Sequence, residues 1–176
     1  MNTQKREPQD SDGRRTIRYA RAPFLALIGV LMVGCGSDTV ALTFGFPSVD
    51  VFVRSETVQI YGVPAASEQP CPALNTEVML GAPRGATFDT AALDICAVRD
   101  GVILDDVPEG RVAYVAVARG PASTAFATGC VVRDIAAGSP EVVLVLTPSE
   151  DYRQAFPIGS GTAGCSAQQR CSGGCP

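Results

Sequence analysis

Seven cysteines constrain this chain more than any other feature: Cys35 stands alone, Cys71, Cys96 and Cys130 are spread through the middle, and Cys165, Cys171 and Cys175 crowd the end. An odd number cannot pair completely within one chain. If Cys35 is set apart, six remain, three in the body and three in the tail. Three cysteines cannot pair among themselves, so full pairing demands an odd number of bridges from body to tail. Any fold that satisfies this brings the end of the chain back onto its middle.

The residues before Cys35 set it apart. Six basic residues (Lys5, Arg6, Arg14, Arg15, Arg18, Arg21) face three acidic ones (Glu7, Asp10, Asp12) before Ala22, whereas from Cys35 onward eight arginines face fifteen carboxylates and no lysine occurs. Between them runs "APFLALIGVLMVG", and the uncharged window from Ala22 to Ser37 holds sixteen residues, including Pro23 and three glycines. A membrane-spanning helix needs ~20 apolar residues, so a permanent anchor is the lesser alternative. A basic flank, a short apolar core and small residues before a cut site mark a secretory signal peptide. The acidic body would repel a phosphate backbone, which excludes nucleic acid as a partner.

"MVGC", Met32 to Cys35, resembles the lipobox of bacterial lipoproteins. The resemblance implies cleavage before Cys35, acylation of its thiol, and a membrane partner reached through the lipid. Gly36, where Asp would retain such a protein in the inner membrane by the sorting rule of enteric bacteria, implies the outer membrane. Arg14 and Arg15 also resemble a twin-arginine export signal, but "TIRY" after them fits poorly.

With Cys35 lipidated, the other six read as a disulfide framework, which an oxidising compartment permits. The expected pairing joins Cys71 to Cys96, Cys130 to a tail cysteine, and the remaining two tail cysteines to each other. The competing reading of "CSAQQRCSGGCP" is a zinc site. Its cysteine spacings are wide for paired zinc ligands, and no histidine occurs in the chain.

The body reads as strands. "VDVFVR" (Val49 to Arg54) and "TVQIYG" (Thr57 to Gly62) alternate apolar and polar residues, the period of a half-buried strand. Further candidates are Thr76 to Leu80, Leu93 to Val98, Val102 to Asp105, Arg111 to Arg119, Thr124 to Ile135 and Glu141 to Thr147. Turn residues in "GAPRG", "RDG", "VPEG", "RGP" and "AGSP" separate them. The expectation is an all-β fold, a single antiparallel β-sandwich. "VILDDVPEGRVAYVAVARG", Val102 to Gly120, resembles the strand, Pro-x-Gly turn and long strand of transthyretin-like or carboxypeptidase-regulatory-like sandwiches, over roughly Leu74 to Thr147. That resemblance implies a prealbumin-type or Ig-like sandwich used as an accessory, adhesive or structural module, although such domains often carry Tyr where Val112 stands.

The residue types bound the chemistry. Without histidine there is no Ser/His or Cys/His dyad and no imidazole base. With no lysine after Lys5, a mature chain beginning at Cys35 has neither a P-loop nor a Schiff-base lysine. Carboxylates remain, and Asp105, Asp106 and Glu109 cluster at one turn. They read first as a solvated turn and second as a calcium site or the acid pair of a hydrolase, although no EF-hand pattern is present. Cys130 in "TGCVVRD" lacks an imidazole partner and reads as half of a disulfide.

The expected organisation is therefore a signal peptide over 1–34, a lipidated N-terminus and tether over 35–48, a sandwich over 49–147 and a Cys/Gly-rich tail over 148–176. The expected function is a non-enzymatic binding or structural role in the bacterial cell envelope, without a cofactor and with envelope proteins or glycans as partners. The alternative is a small carboxylate-dependent hydrolase or calcium-dependent adhesion domain built on Asp105, Asp106 and Glu109.

Overall fold

The computed structural model describes residues 39–65, 70–105, 107, 110–135, 141–157 and 164–175. The elements run β1 (Val40–Gly45), α1 (Val49–Arg54), β2 (Thr57–Pro64), α2 (Cys71–Leu80), β3 (Phe88–Asp89), β4 (Leu93–Asp94), β5 (Val102–Leu104), β6 (Gly110–Arg119), β7 (Ala125–Ile135), β8 (Val142–Val145), β9 (Thr147–Pro148), α3 (Glu150–Ala155) and α4 (Ala167–Cys171).

Two sheets form. The larger has the order β3-β2-β6-β7-β9, with β4 also on β2, and every pairing in it is antiparallel. The smaller has the order β5-β1-β8, in which β1 runs antiparallel to β5 and parallel to β8. The principal core lies between the sheets: Val40, Leu42, Leu104, Val142 and Leu144 of the small sheet meet Val58, Ile60, Val112, Tyr114, Ala116 and Ala118 of the large one.

The large sheet is covered on its other face as well. Val112 to Ala118 of β6 are buried without interruption, because even-numbered residues face the small sheet while Ala113, Val115 and Val117 face α2. A strand buried on both faces reads as a continuous apolar run instead of an alternating one. Helix α2 closes the outer layer with Leu74 and Val78, spaced four residues apart and so on one helical face. Full burial of two such side chains contributes ~1.5–3 kcal/mol each. The chain changes sheets at Leu146, passing from β8 to β9, and β7 approaches closely there: a Cβ on Gly129 would sit 2.5 Å from the Val145 carbonyl oxygen.

Several expectations change. The fold is mainly β and two-layered in its sheets, but a helix covers one of them and one strand pair is parallel, so it is not purely antiparallel. Val49–Arg54 is a helix. Its buried residues are the neighbours Val51 and Phe52, which a strand would point to opposite faces, and Asp50 and Arg54 sit at the ends where the helix dipole favours them. Thr76 to Leu80 belongs to α2, whose first turn accepts proline. Leu93 to Val98 keeps only two strand residues, because the Asp94 carboxylate accepts the backbone N–H of Cys96 at 2.8 Å and turns the chain. The expected tether contains β1, the central strand of the small sheet. Segments β5 and β6 lie in different sheets, so Val102 to Gly120 is a crossing between layers, with Gly110 at φ 102°.

Candidate binding cleft

Three disulfides arrange the surface. Cys71–Cys130 fastens the start of α2 to β7, Cys96–Cys171 fastens the turn after β4 to α4, and Cys165–Cys175 closes the tail on itself. One bridge therefore joins body to tail. The partners differ from the expected Cys71–Cys96 because the large sheet stands between those residues: Cys130 packs on the outer cluster, whereas Cys96 and Cys171 pack on the core between the sheets. The tail cysteines considered as zinc ligands are all joined in bridges.

Of the other expected site residues, the structure describes one. Asp105 is exposed just after β5, and Asp106, Glu109 and Cys35 lie outside the described residues. No group of three or more His, Cys, Asp or Glu residues is placed to hold a metal ion among the described residues.

A cleft that sequence reasoning did not anticipate lies where α1, the β6–β7 turn, α3 and α4 meet. Its volume is about 710 Å³, and its lining includes Arg54, Glu56, Phe126, Tyr152, Phe156 and Arg170. This is within the ~300–1,000 Å³ of small-molecule sites.

Each wall has a local cause. Ser55, fully buried, donates its hydroxyl to the Val51 carbonyl at 2.7 Å and fixes the end of α1 beside Arg54. The Glu56 backbone is held from both sides, donating to the Arg119 carbonyl at 2.8 Å and accepting from Ile95 N–H at 3.0 Å. Ser149 caps α3 by accepting from Tyr152 N–H, and Glu150 and Asp151 occupy its first turn. That helix carries Tyr152, and Phe156, its C-cap, donates its N–H to the Tyr152 carbonyl, which keeps the two rings together. Tyr152 stacks on Phe126 with centroids 4.4 Å apart, and Phe156 lies 5.0 Å from Tyr152. Helix α4 starts in a capping box, with Ser166 and Gln169 satisfying each other's backbone N–H groups.

Two guanidiniums give the cleft its polarity. Arg54 lies 4.5 Å from the Phe156 ring centroid, a cation–π contact. Arg170 has its Nε buried without a hydrogen-bond acceptor among the described residues. Leaving such a donor unsatisfied costs ~1–3 kcal/mol. Two arginines elsewhere are ion-paired, Arg99 with Asp100 at 2.8 Å and Arg153 with Glu150. Neither Arg54 nor Arg170 has an ion pair among the described residues.

The rim of the cleft is strained. Ala122 and Ser123, in the turn joining β6 to β7, have φ of 57° and 58°. Two consecutive non-glycine residues in the left-handed region cost ~1–2 kcal/mol each, and such strain clusters at functional sites. The turn is held by Gly120 N–H donating to the Thr124 carbonyl at 2.9 Å and by the Arg119 guanidinium donating to the Ser123 carbonyl.

Chemically, the arrangement suits binding. Among the described residues Glu56 is the one carboxylate of the lining, and the facing acid pair that glycoside hydrolysis requires is not found among them. The sequence did contain one usable signal, "SEDYRQAF", in which a capping serine precedes two acids and an aromatic pair at helical spacing. No protein-family model, curated protein or solved structure matches the chain.

Proposed function

We propose that the protein is an exported, lipid-anchored, non-enzymatic binding or structural module of the bacterial cell envelope, held in the outer membrane through Cys35. Its sandwich is of the accessory kind that Val102 to Gly120 resembles, and its partners are envelope proteins or glycans. The observation that carries the reading is the cleft: arginine and aromatic side chains gathered in a concave site. Three disulfides support export, because such bridges persist in oxidising compartments. The short lead into β1 supports a surface role: Val40 is only five residues beyond Cys35, so the lipid would hold the sandwich within ~18 Å of the bilayer.

Intact mass spectrometry of the membrane-extracted protein, before and after reduction, tests the anchor. The expected mass begins at Cys35 with a diacyl or triacyl addition and rises by six hydrogens on reduction of the three bridges. A chain that keeps Met1 and carries no lipid would overturn it.

A further inference from the structure

We propose that the cleft binds a carboxylate carried on an aromatic or other flat apolar body, with Arg170 and Arg54 taking the carboxylate and the Phe126–Tyr152–Phe156 rings taking the body. This rests on the binding-module reading and names the ligand class for it.

Arg170 contributes the first argument. Its Nε–H is buried without an acceptor among the described residues, and a guanidinium presents its donors as a planar fork that matches a carboxylate. Arg54 contributes the second. A guanidinium held over a ring face by cation–π attraction uses no hydrogen-bond acceptor there, so the contact with Phe156 leaves Arg54 N–H groups to donate. The rings form a continuous apolar wall, Phe126 against Tyr152 and Tyr152 against Phe156, of the kind on which a flat ligand stacks.

Charge narrows the class. From Cys35 onward fifteen carboxylates face eight arginines, and Glu56 stands in the lining itself. A dianionic phosphate would meet that field with twice the charge, so a single carboxylate fits better. The same chemistry occurs in a free aromatic acid and at the C-terminus of a peptide ending in an apolar residue.

The position of Arg170 has a covalent cause. It precedes Cys171, which is tied to Cys96, so the body-to-tail bridge is what delivers this guanidinium to the cleft.

Calorimetric titration of the full disulfide-bonded chain tests the proposal with four probes: 3-phenylpropionate, its neutral amide, phenyl phosphate, and N-acetyl-Ala-Ala-Phe with a free C-terminus. The acid is expected to bind near ~1 mM, as suits so small a ligand, with the amide at least ~10-fold weaker. If the tripeptide binds more tightly than phenylpropionate, the source is a peptide C-terminus; if not, a free acid. Arg170→Gln and Arg54→Gln should each weaken the acid about 10-fold, Arg170→Lys should lose part of that, and Arg111→Gln, on exposed β6 backbone away from the cleft, should change nothing.

Equal binding of acid and amide, tighter binding of phenyl phosphate, or indifference to both Gln variants would each overturn the ligand class. So would the absence of heat with either carboxylate up to ~10 mM. The comparison of acid with amide uses the unaltered chain, so it stands even if a variant fails to fold. Failure here would leave the lipid anchor to its own mass measurement.

Discussion

Helices α2 and α4 are each tied to the body by a disulfide, yet they are held by different means. Helix α2 buries Leu74 and Val78 against the outer face of the large sheet, and Cys71–Cys130 reinforces contacts that already exist. Helix α4 buries no residue fully; Ala167 and Cys171 only lean on the core, and its capping box organises it locally. The first bridge strengthens a packed layer, whereas the second positions a surface element. A disulfide therefore says little about stability until the packing around it is known.

The largest test removes the first bridge. Cys71→Ser with Cys130→Ser should cost the sandwich ~3 kcal/mol, the usual value for a bridge closing a long loop, read as a lower denaturation midpoint. Val78→Ala should follow at ~2 kcal/mol, because it empties a fully buried position beneath α2. If that substitution shifted the midpoint by less than the scatter of the measurement, α2 would be held by its bridge alone and the contrast with α4 would collapse.

Tyr114, inside the core between the sheets, gives the next effect. Its hydroxyl is buried without a partner among the described residues, and burial pushes its pKa from 10.0 up to about 12. Folding therefore favours the neutral phenol: this contribution is complete below pH 10.0 and is lost as pH rises towards about 12. The slope is at most ~1.4 kcal/mol per pH unit. In Tyr114→Phe that alkaline loss should vanish, while stability at neutral pH should rise or fall by no more than ~1 kcal/mol.

The smallest effect belongs to the second bridge. Cys96→Ser with Cys171→Ser should lower the sandwich midpoint less, although its loop is longer, because a released tail regains freedom in the folded state as well as the unfolded one. It should also expose 164–175 to proteases, as expected for a segment that opens locally. A fall as large as that of the Cys71/Cys130 pair would show that the tail is integral to the core.

The legible parts of this chain are those where one structural period dominates. "TVQIYG" alternates over enough residues to mark β2, and the long runs of β6 and β7 are apolar enough to mark buried strands. "VDVFVR" is too short to separate periods of 2 and 3.6, and its burial pattern follows the helix. In "VALTFG" buried Val40, exposed Ala41 and buried Leu42 alternate, but the segment follows closely on the lipobox-like "MVGC" and so reads as tether in the sequence. Counting cysteines predicted a bridge from body to tail if all six pair. Which residues form it depends on which side of the large sheet each faces, and that follows from the tertiary fold. The cleft was beyond reach for the same reason: Arg54 and Arg170 line one cleft only once Cys171 has found Cys96.

The parallel pairing of β1 with β8 carries a consequence for the order of assembly. Leu42 sits opposite Val142, so the strand made first must wait for one made near the end. The antiparallel neighbours β6 and β7 meet across a short turn, at far less cost in loop entropy. In pulsed hydrogen exchange during refolding, the amides of Val115 and Val131 should be protected before that of Leu42; simultaneous protection would refute this order. A chain delivered N-terminus first would thus carry an apolar strand, unpartnered on the β8 side, for most of its emergence, and the small sheet would be the last part of the sandwich to close.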